Sequence, residues 1–238
     1  MIEKRTFRDL AHIDHEWLQA RHHFSFGKYW DPKWMGFGPV RVWNDDEINP
    51  QTGFPMHGHK DMEIITYVRE GAITHRDNMG NEGRTEAGDV QVMSAGKGIM
   101  HSEYNLEDEQ TKLFQIWIEP RLPGGSARWD AKAFPKGDRA DSLEILASGF
   151  DEDIENGALM IRADARLYGA TLASGTLIEH QVADGGRIYL VGSSGRLRIN
   201  GEEIAARDAL AIRDVTSLKI EALGDAELVF VEGFERTH

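Results

Sequence analysis

No cysteine occurs among the 238 residues of this chain. Its absence excludes disulfide bonds, thiolate metal ligands and cysteine nucleophiles, and it fits a protein of the reducing cytoplasm. Long apolar runs are also missing near the start, where charged residues such as Glu3, Lys4 and Arg8 interrupt the first 20 positions. We therefore expect a soluble, unprocessed cytoplasmic protein with no signal peptide and no membrane span.

Basic residues are comparatively few. The 27 lysines and arginines are outnumbered by 40 aspartates and glutamates, which gives a formal net charge of -13. A nucleic-acid surface requires clustered positive charge, so we expect no nucleic-acid partner. The most acidic stretch, residues 150–156, carries no motif and is predicted to be a solvated loop.

Helical periodicity is scarce, and its best example runs from Ile13 to Ala20. Most of the chain consists of short segments rich in β-forming residues, separated by turns such as Asn78–Asn81 and Asn200–Gly201. Many short strands with turns of this kind indicate a sandwich or barrel. The sequence therefore predicts an all-β fold with little helix.

Loop-forming residues cluster between Pro120 and Leu143, and residues 135–138 belong to this cluster. A chain of this length often divides into two domains of modest size. We therefore place a boundary in the cluster, with an N-terminal domain at residues 1–130 and a C-terminal domain at residues 131–238.

Two short pairs in the first half of the chain carry metal-binding side chains: His57 with His59, and His101 with Glu103. Residues i and i+2 of an extended segment point to the same face, so two strands would supply four ligands. Turns lead into both pairs, and β-forming residues flank them. Imidazole and carboxylate together suit iron, manganese, cobalt, nickel, copper or zinc better than calcium or magnesium. The sequence predicts one divalent transition metal, and histidines hydrogen-bonded on an ordinary sheet are the alternative.

A weak internal repeat relates the two halves of the chain. The pattern of strands and turns in residues 67–92 recurs in residues 190–211. The second copy lacks the ligand pairs, and His180 is the one histidine between residues 102 and 237. A lone imidazole is more often a structural histidine than a ligand, so we expect no metal in the C-terminal domain.

The first pair belongs to a His-x-His-x3-Glu pattern that ends at Glu63 and resembles the first cupin motif. The segment from Gly88 to Asn105 resembles the second cupin motif. The sequence around both pairs, together with the run from His22 to Phe26, resembles the pirin family, including bacterial pirin-like proteins with quercetin 2,3-dioxygenase activity. This resemblance implies a bicupin, with two β-sandwich or jelly-roll barrel domains and a metal site in the first.

The resemblance also implies a ligand set. Pirins use three histidines and one glutamate, which fall here on His57, His59, His101 and Glu103. Iron is the metal we expect first, with manganese, nickel, cobalt, copper or zinc as alternatives. Other cupins use the glutamate of the first motif, here Glu63, but four residues of extended strand place it roughly 13 Å from His59. Glu63 then lies either next to the ligands or as a buried group bonded to backbone or a neighbouring strand.

Several residues outside the motifs have two interpretations. His22 either borders the metal site or lies in a surface loop, His23 fits the site less well, and His75 is expected to be exposed on a strand. The aromatic residues between Phe24 and Trp43 fill core for the most part, while one or two of them line a pocket for a planar ligand.

The resemblance implies a metal-dependent dioxygenase. It would cleave the central ring of flavonols such as quercetin with O2 and release carbon monoxide, with Glu103 as the catalytic proton acceptor. One alternative is a non-enzymatic, redox-sensitive metal-dependent binding or regulatory protein, and another is a hydrolase or isomerase that uses the metal as a Lewis acid. The expected partners are a small aromatic substrate and O2, while the sequence leaves the oligomeric state open.

Overall fold

Short alternating segments form strands throughout the chain. A computed structural model describes residues 1–137 and 140–234. The predicted all-β fold with little helix is confirmed, because strands supply nearly all of the regular structure. Loop residue Asp138 and the end of the predicted C-terminal domain, residues 235–238, lie outside the described residues. Within the described ranges, no helix has the length and apolar character needed to cross a bilayer.

Residues 1–132 contain twelve strands and one 3₁₀ turn. In chain order they are β1 (Ile2–Arg5), the 3₁₀ turn (Phe7–Asp9), β2 (Ala11–Asp14), β3 (Leu18–His22), β4 (Val40–Ile48), β5 (Thr52–His59), β6 (Glu63–Glu70), β7 (Ala72–Asp77), β8 (Glu82–Glu86), β9 (Val90–Ser94), β10 (Ile99–Asn105), β11 (Thr111–Ile118) and β12 (Arg128–Lys132).

The described residues beyond 132 contain ten strands and one short helix. In chain order they are β13 (Glu144–Ser148), α1 (Asp151–Glu155), β14 (Leu159–Met160), β15 (Ala165–Leu172), β16 (Leu177–Gln181), β17 (Arg187–Ser194), β18 (Arg196–Ile199), β19 (Glu202–Ala205), β20 (Ala209–Ile212), β21 (Ser217–Ala222) and β22 (Ala226–Gly233).

Two antiparallel sheets form a sandwich in the first half. The larger sheet has seven strands in the order β12-β9-β6-β11-β4-β3-β2, and the smaller has four in the order β5-β10-β7-β8. Val68 and Leu113 of the larger sheet pack with Ile73 of the smaller one in an apolar cluster between them. Beyond this cluster, His57 and His101 of the smaller sheet and Gln115 of the larger sheet line the site.

The second half repeats most of this architecture and differs at one edge of the large sheet, where β14 pairs with β13 in parallel whereas β2 and β3 are antiparallel. Its sheets have the orders β1-β20-β17-β22-β15-β13-β14 and β16-β21-β18-β19. Strands β17 to β20 occupy the places of β6 to β9, as the repeat in the sequence predicts. Strands β16 and β21 likewise correspond to β5 and β10, which carry the two pairs of predicted ligands.

Strand pairing crosses the predicted domain boundary at two places. Strand β1 pairs with β20 in the large sheet of the second half, with Ile2 opposite Ile212. Strand β12 pairs with β9 of the first half and continues to Lys132 opposite Val90, so position 130 falls inside a strand. The division at residues 130 and 131 stays a prediction.

The largest core lies between the two seven-stranded sheets. Trp43 and Phe114 from the first half meet Tyr189 and Val229 from the second half there, all of them fully buried. Burial of each such side chain contributes roughly 1.5–3 kcal/mol. Strand alternation then points the next residues of β4 and β11, such as Gln115, away from this core and into the first sandwich.

Two local predictions are wrong. Residues 13–20 form parts of β2 and β3 rather than a helix, because the pairing of Ile13 with Ala20 places apolar side chains on one face of a hairpin. Residues 150–156 are not wholly a loop, because Asp151–Glu155 forms helix α1. Three acidic residues in its first turn interact favourably with the helix dipole.

We predict that Gly53→Ala destabilises the first sandwich. A Cβ at Gly53 would collide with the Glu103 carbonyl oxygen and lie 2.5 Å from the Tyr104 Cα, so β5 would have to move away from β10. Overpacking of this kind lowers the free energy of unfolding by about 1–3 kcal/mol. Chemical denaturation measures it, and Gly224→Ala is the control because a Cβ there meets nothing within 4 Å. Equal stability of the two variants would contradict the prediction.

Candidate metal centre

Three imidazoles converge on the inner face of the small sheet. His57 and His59 lie on β5, and His101 on β10 is directly opposite His57 in the antiparallel pair. The His57 and His101 Nε2 atoms are 3.2 Å apart, and ligand nitrogens of all three residues lie within 4.8 Å of one another. The i and i+2 spacing therefore brings the histidines together as the sequence predicts.

A β-bulge shapes the strand that carries the first pair. The register of β5 against β10 shifts between His101 and Glu103, where β5 has one extra residue. Pro55 lies in this bulge, where its missing N–H breaks no ladder bond. Its carbonyl oxygen is 2.7 Å from the His57 Nδ1. The His57 Nδ1–H donates this hydrogen bond, so Nε2 presents its lone pair to the centre.

Burial keeps two of the imidazoles uncharged. Desolvation, followed by the neighbouring His101 and His57 rings, lowers the pKa of His59 to about 4. Desolvation, followed by His57 and His75, lowers the pKa of His101 to about 3. Both rings are therefore neutral at pH 7, which is the form that binds a metal ion.

Glu103 lies beside the imidazoles in a fixed orientation. Its side chain is buried, and its carboxylate accepts hydrogen bonds from Gln91 Nε2 at 2.6 Å, Gln115 Nε2 at 2.7 Å and Thr66 Oγ1 at 3.1 Å. These three donors from the large sheet fix the orientation of the buried carboxyl group. A second group of ligand-type atoms, again within 4.8 Å of one another, joins Glu103 to His101 and His75.

His75 is fully buried behind His101, so the prediction that it is exposed is wrong. Its Nδ1 is 3.4 Å from the His101 Nδ1, and its Nε2 is 3.2 Å from the Asp77 carboxylate. Because Asp77 is an acceptor, His75 Nε2–H donates to it, and His75 Nδ1 accepts from His101 Nδ1–H. This series of hydrogen bonds leaves the His101 Nε2 lone pair facing His57. The His75 ring also stacks on Trp129, 4.9 Å away.

Asp77, the last group in this series of hydrogen bonds, is held in place as well. Burial alone raises the pKa of Asp77, but hydrogen bonds from Asn81 and His75 outweigh it and lower the pKa below its usual value. The Asn81 side chain donates at 2.8 Å, and the backbone N–H groups of Met79 and Asn81 donate at 2.9 and 3.0 Å. Asp77 is therefore an anion anchored in the turn after β7.

Glu63 is bonded away from the metal-binding face. One carboxylate oxygen accepts from Ser94 Oγ at 2.6 Å and from the backbone N–H of Arg162 at 3.1 Å. Desolvation raises the pKa of Glu63, and these hydrogen bonds oppose the shift. Of its two sequence interpretations, the structure shows the buried carboxylate bonded to a neighbouring strand and to backbone.

A cavity of about 250 Å³ opens next to the imidazoles. Its walls are mainly apolar, and its lining residues are Phe26, Asn44, Asp46, Phe54, Pro55, His57, His59, Ile64, His101, Glu103, Gln115 and Trp117. Trp117 meets His59 and Phe26 edge to face, with ring centroids 4.9 and 5.2 Å apart.

His22 and His23 lie outside the lining of this cavity. His22 is buried, and its ring contacts Phe26 edge to face with centroids 5.1 Å apart. His23 points into the core between the sheets, where its Nδ1 is 2.9 Å from the Tyr189 hydroxyl. His22 therefore supports an aromatic wall of the cavity, and neither residue belongs to a surface loop.

The equivalent region of the second half is apolar. Strand β21 places Leu218 and Ile220 where β10 carries its ligand-type residues, and both are fully buried with Phe230 in one cluster. His180 on β16 bonds to Glu232 at 2.7 Å and packs edge to face against Tyr168. Apolar side chains thus occupy the place that polar groups hold in the first half.

Comparison with known proteins identifies the family. The pirin family model matches residues 3–118, and the model of the quercetinase C-terminal cupin domain matches residues 146–232. A pirin-like protein of Caulobacter vibrioides is 56% identical over 232 residues, which cover 98% of this chain and 99% of that protein. The chain belongs to the pirin family.

Two further pirin relatives come from Escherichia coli. A protein named quercetin 2,3-dioxygenase, from strain K12, is 40% identical over 98% of both chains. The crystal structure of the bacterial pirin YhhW in complex with nickel(II) superposes with a TM-score of 0.93 at 38% identity, covering 99% of this chain and all of that one. The predicted two-domain cupin fold is confirmed.

The residues present fit a transition metal. Neutral imidazole nitrogens and a neighbouring carboxylate are ligands that suit borderline divalent ions. The hydrogen bond from His57 to the Pro55 carbonyl oxygen orients one ring, and the hydrogen bond between His101 and His75 orients another. The assignment of His57, His59, His101 and Glu103 as the four ligands stays a prediction.

We expect one metal per chain, bound in the first half. His101→Ala should lose most of it, and Glu103→Gln should cost more metal than Glu63→Gln, because the Glu63 carboxylate is bonded to Ser94 and Arg162. Elemental analysis after dialysis against nickel(II) or iron(II) measures the occupancy. Full occupancy in His101→Ala, two metals per chain, or the reverse ranking of the glutamates would each contradict the assignment.

We also predict that the hydrogen bonds from His101 through His75 to Asp77 strengthen metal binding. His75→Ala and Asp77→Ala should weaken binding about 10–100-fold, as loss of outer hydrogen-bond partners does in other metal sites. His75→Gln keeps an acceptor for His101 and should retain more affinity. Competition with a chelator measures the constants. The control is His180→Ala, which breaks a similar histidine–carboxylate pair in the second half and should leave affinity unchanged.

Proposed function

We propose that this pirin is a metal-dependent dioxygenase, which opens the central ring of flavonols such as quercetin with O2 and releases carbon monoxide. The observation that carries the proposal is the cavity, because aromatic and apolar walls lead directly to a cluster of neutral imidazoles. Such a cavity suits a flat aromatic ligand that reaches the metal with one polar edge. The relative named quercetin 2,3-dioxygenase supports this substrate class.

In this proposal His57, His59, His101 and Glu103 hold one divalent transition metal, with iron expected first. When bound, the metal supplies Lewis acidity, which lowers the pKa of a hydroxyl group placed on it. Nickel in the related YhhW structure shows that a member of the family accepts a divalent metal of this class. The imidazoles need no proton loss to bind it, because burial already keeps His59 and His101 neutral.

The cavity walls position the substrate. Phe26, Phe54 and Trp117 surround the opening with flat apolar surfaces, and Ile64 closes the side next to the sheet. Apolar contact of this kind holds a planar ring system and excludes water from the reacting atoms. The edge-to-face contacts of Trp117 with His59 and Phe26 keep this wall in place.

Glu103 is the proposed proton acceptor for the substrate hydroxyl. Its Oε1 already accepts hydrogen bonds from Gln91 and Thr66, whereas Oε2 accepts one from Gln115. A carboxylate oxygen has two lone-pair sites, so Oε2 keeps one for the incoming proton or for the metal. The three donors hold the carboxylate while its charge changes.

The overall reaction requires no external reductant. Flavonol and O2 together contain all the atoms of the ester product and of the released carbon monoxide. The protein therefore has to bring the two substrates together in a dry site, and no second cofactor site is required.

We predict that metal-loaded protein consumes O2 with quercetin and releases carbon monoxide. Loss of flavonol absorbance, together with gas analysis, measures the turnover. Glu103→Gln should lower turnover per bound metal by about 100-fold or more, the usual contribution of a general base. His180→Ala is the matched control and should keep full turnover, because it alters a partly buried histidine–carboxylate pair outside the site.

The contrary outcome is equally clear. If protein carrying stoichiometric iron, manganese, nickel, cobalt or copper consumes no flavonol above free-metal controls, the dioxygenase proposal fails. The metal-dependent binding or regulatory protein then becomes the better account of the same site.

A further inference from the structure

One wall of the cavity carries two polar side chains with unpaired atoms. Asn44 and Asp46 lie two residues apart on β4, both line the cavity, and they are only 5% and 2% exposed. Asn44 Oδ1 and Asp46 Oδ1 have no hydrogen-bond partner among the described residues. Buried polar atoms are nearly always paired in folded proteins, so the missing partner has to come from the cavity.

The residue between them is a carboxylate whose oxygens are both paired. Asp45 points to the opposite face of the sheet and is fully buried, yet its carboxylate forms ion pairs with both Arg69 and Arg207. The distance from Arg207 Nε to Asp45 Oδ2 is 2.6 Å. The unpaired side-chain oxygens of β4 therefore lie on the cavity side, while on the opposite face only the Trp43 Nε1 of this strand lacks a partner among the described residues.

The position of this wall relative to the imidazoles limits the shape of the ligand. Asn44 pairs in register with Gln115 of β11, and Gln115 in turn donates to Glu103. The imidazoles project from the small sheet, whereas β4 belongs to the large sheet that faces it. Packed sheets lie about 10 Å apart between their backbones, and side chains from both sheets fill part of that space, so a molecule that touches both walls has to be flat.

The chemistry of the pair favours a neutral hydroxyl group. The amide of Asn44 offers a carbonyl acceptor and an N–H donor. Burial, followed by the charges of Asp45 and Glu103, raises the pKa of Asp46 well above its ordinary value. Asp46 Oδ1 accepts a hydrogen bond in either protonation state, so the pair matches a hydroxyl group, which both donates and accepts, and not an apolar ring edge.

We propose that Asn44 and Asp46 bind a ring hydroxyl group of the substrate and thereby select hydroxylated flavonols over flavonols without ring hydroxyls. The inference rests on the proposed function and adds the substrate class, namely planar polyhydroxylated aromatics bound with a hydroxylated ring against β4. Asn44 and Asp46 act as specificity-determining residues, and the metal-binding edge of the flavonol lies at the opposite wall.

Equilibrium binding to nickel-loaded protein without O2 tests this inference, because no turnover is needed. The two probes are quercetin and 3-hydroxyflavone, which share the metal-binding edge but differ in ring hydroxyls. Quenching of tryptophan fluorescence measures binding. Wild-type protein should bind quercetin about tenfold more tightly, in line with one or two additional hydrogen bonds. Asp46→Leu and Asn44→Leu should abolish this preference and leave 3-hydroxyflavone affinity within about twofold.

Two further variants separate recognition from general damage. Asp46→Asn keeps the shape and a hydrogen-bonding group, so it should retain most of the preference for quercetin even if Asp46→Leu folds poorly. Phe54→Leu alters an apolar wall and should weaken both probes alike. Nickel content is measured for every variant.

Equal loss of affinity for both probes in the Asp46 and Asn44 variants, or an unchanged preference for quercetin, would overturn the inference. If wild-type protein with full nickel binds neither flavonol, the proposed function itself fails. That result is distinct from binding without discrimination, which would overturn only the role of Asn44 and Asp46.

Discussion

The pairing of β10 with β5 on one side and β7 on the other is the constraint on which the whole site depends. It places His57 and Asp77 on opposite flanks of His101, and His75 beside Glu103. Because strand side chains alternate, a slip of one residue in either pair would turn these groups to the outer face. The apolar cluster between the sheets holds the register. The geometry of the centre is thus fixed by backbone hydrogen bonds far more numerous than its own polar contacts.

The two halves show how one framework supports different interiors. Both have the same order of strands in the small sheet and corresponding central strands in the large sheet, yet the second half fills its small sandwich with residues such as Leu218, Ile220 and Phe230. The first half replaces this packing with a hydrogen-bonded network that includes Gln91 and Gln115. That network buries less apolar surface within the small sandwich, and the apolar side chains in the large core shared by the two seven-stranded sheets compensate for it. The architecture alone therefore does not predict chemistry, which resides in a few side chains of one half.

What the sequence predicted well was local. The members of each predicted ligand pair are two residues apart, and side chains at this spacing point to the same face of a strand. His75 and Asp77 have the same spacing, but they joined no recognised motif, and their partner His101 lies 26 residues away from His75. The polarity of Asn44 gave no signal either, since its role depends on a register with β11 that only the folded sheet reveals. The apolar spacing between Ile13 and Ala20 fits a helix and a hairpin equally. The hairpin forms because β3 pairs with β4 as well as with β2.

The pairing of β1 with the sheet of the second half has a consequence for how the chain holds together. Strand β1 begins the chain but completes the sheet of the second half, while β12 seals the outer edge of the first. A protease cut in the loop between β12 and β13 would leave two fragments that still share a sheet and the central core. Neither fragment would dissociate without exposing the unpaired edge of β20, a surface that invites aggregation. Strand pairing and the shared core therefore hold the two halves together, and we expect them to unfold as a single cooperative unit.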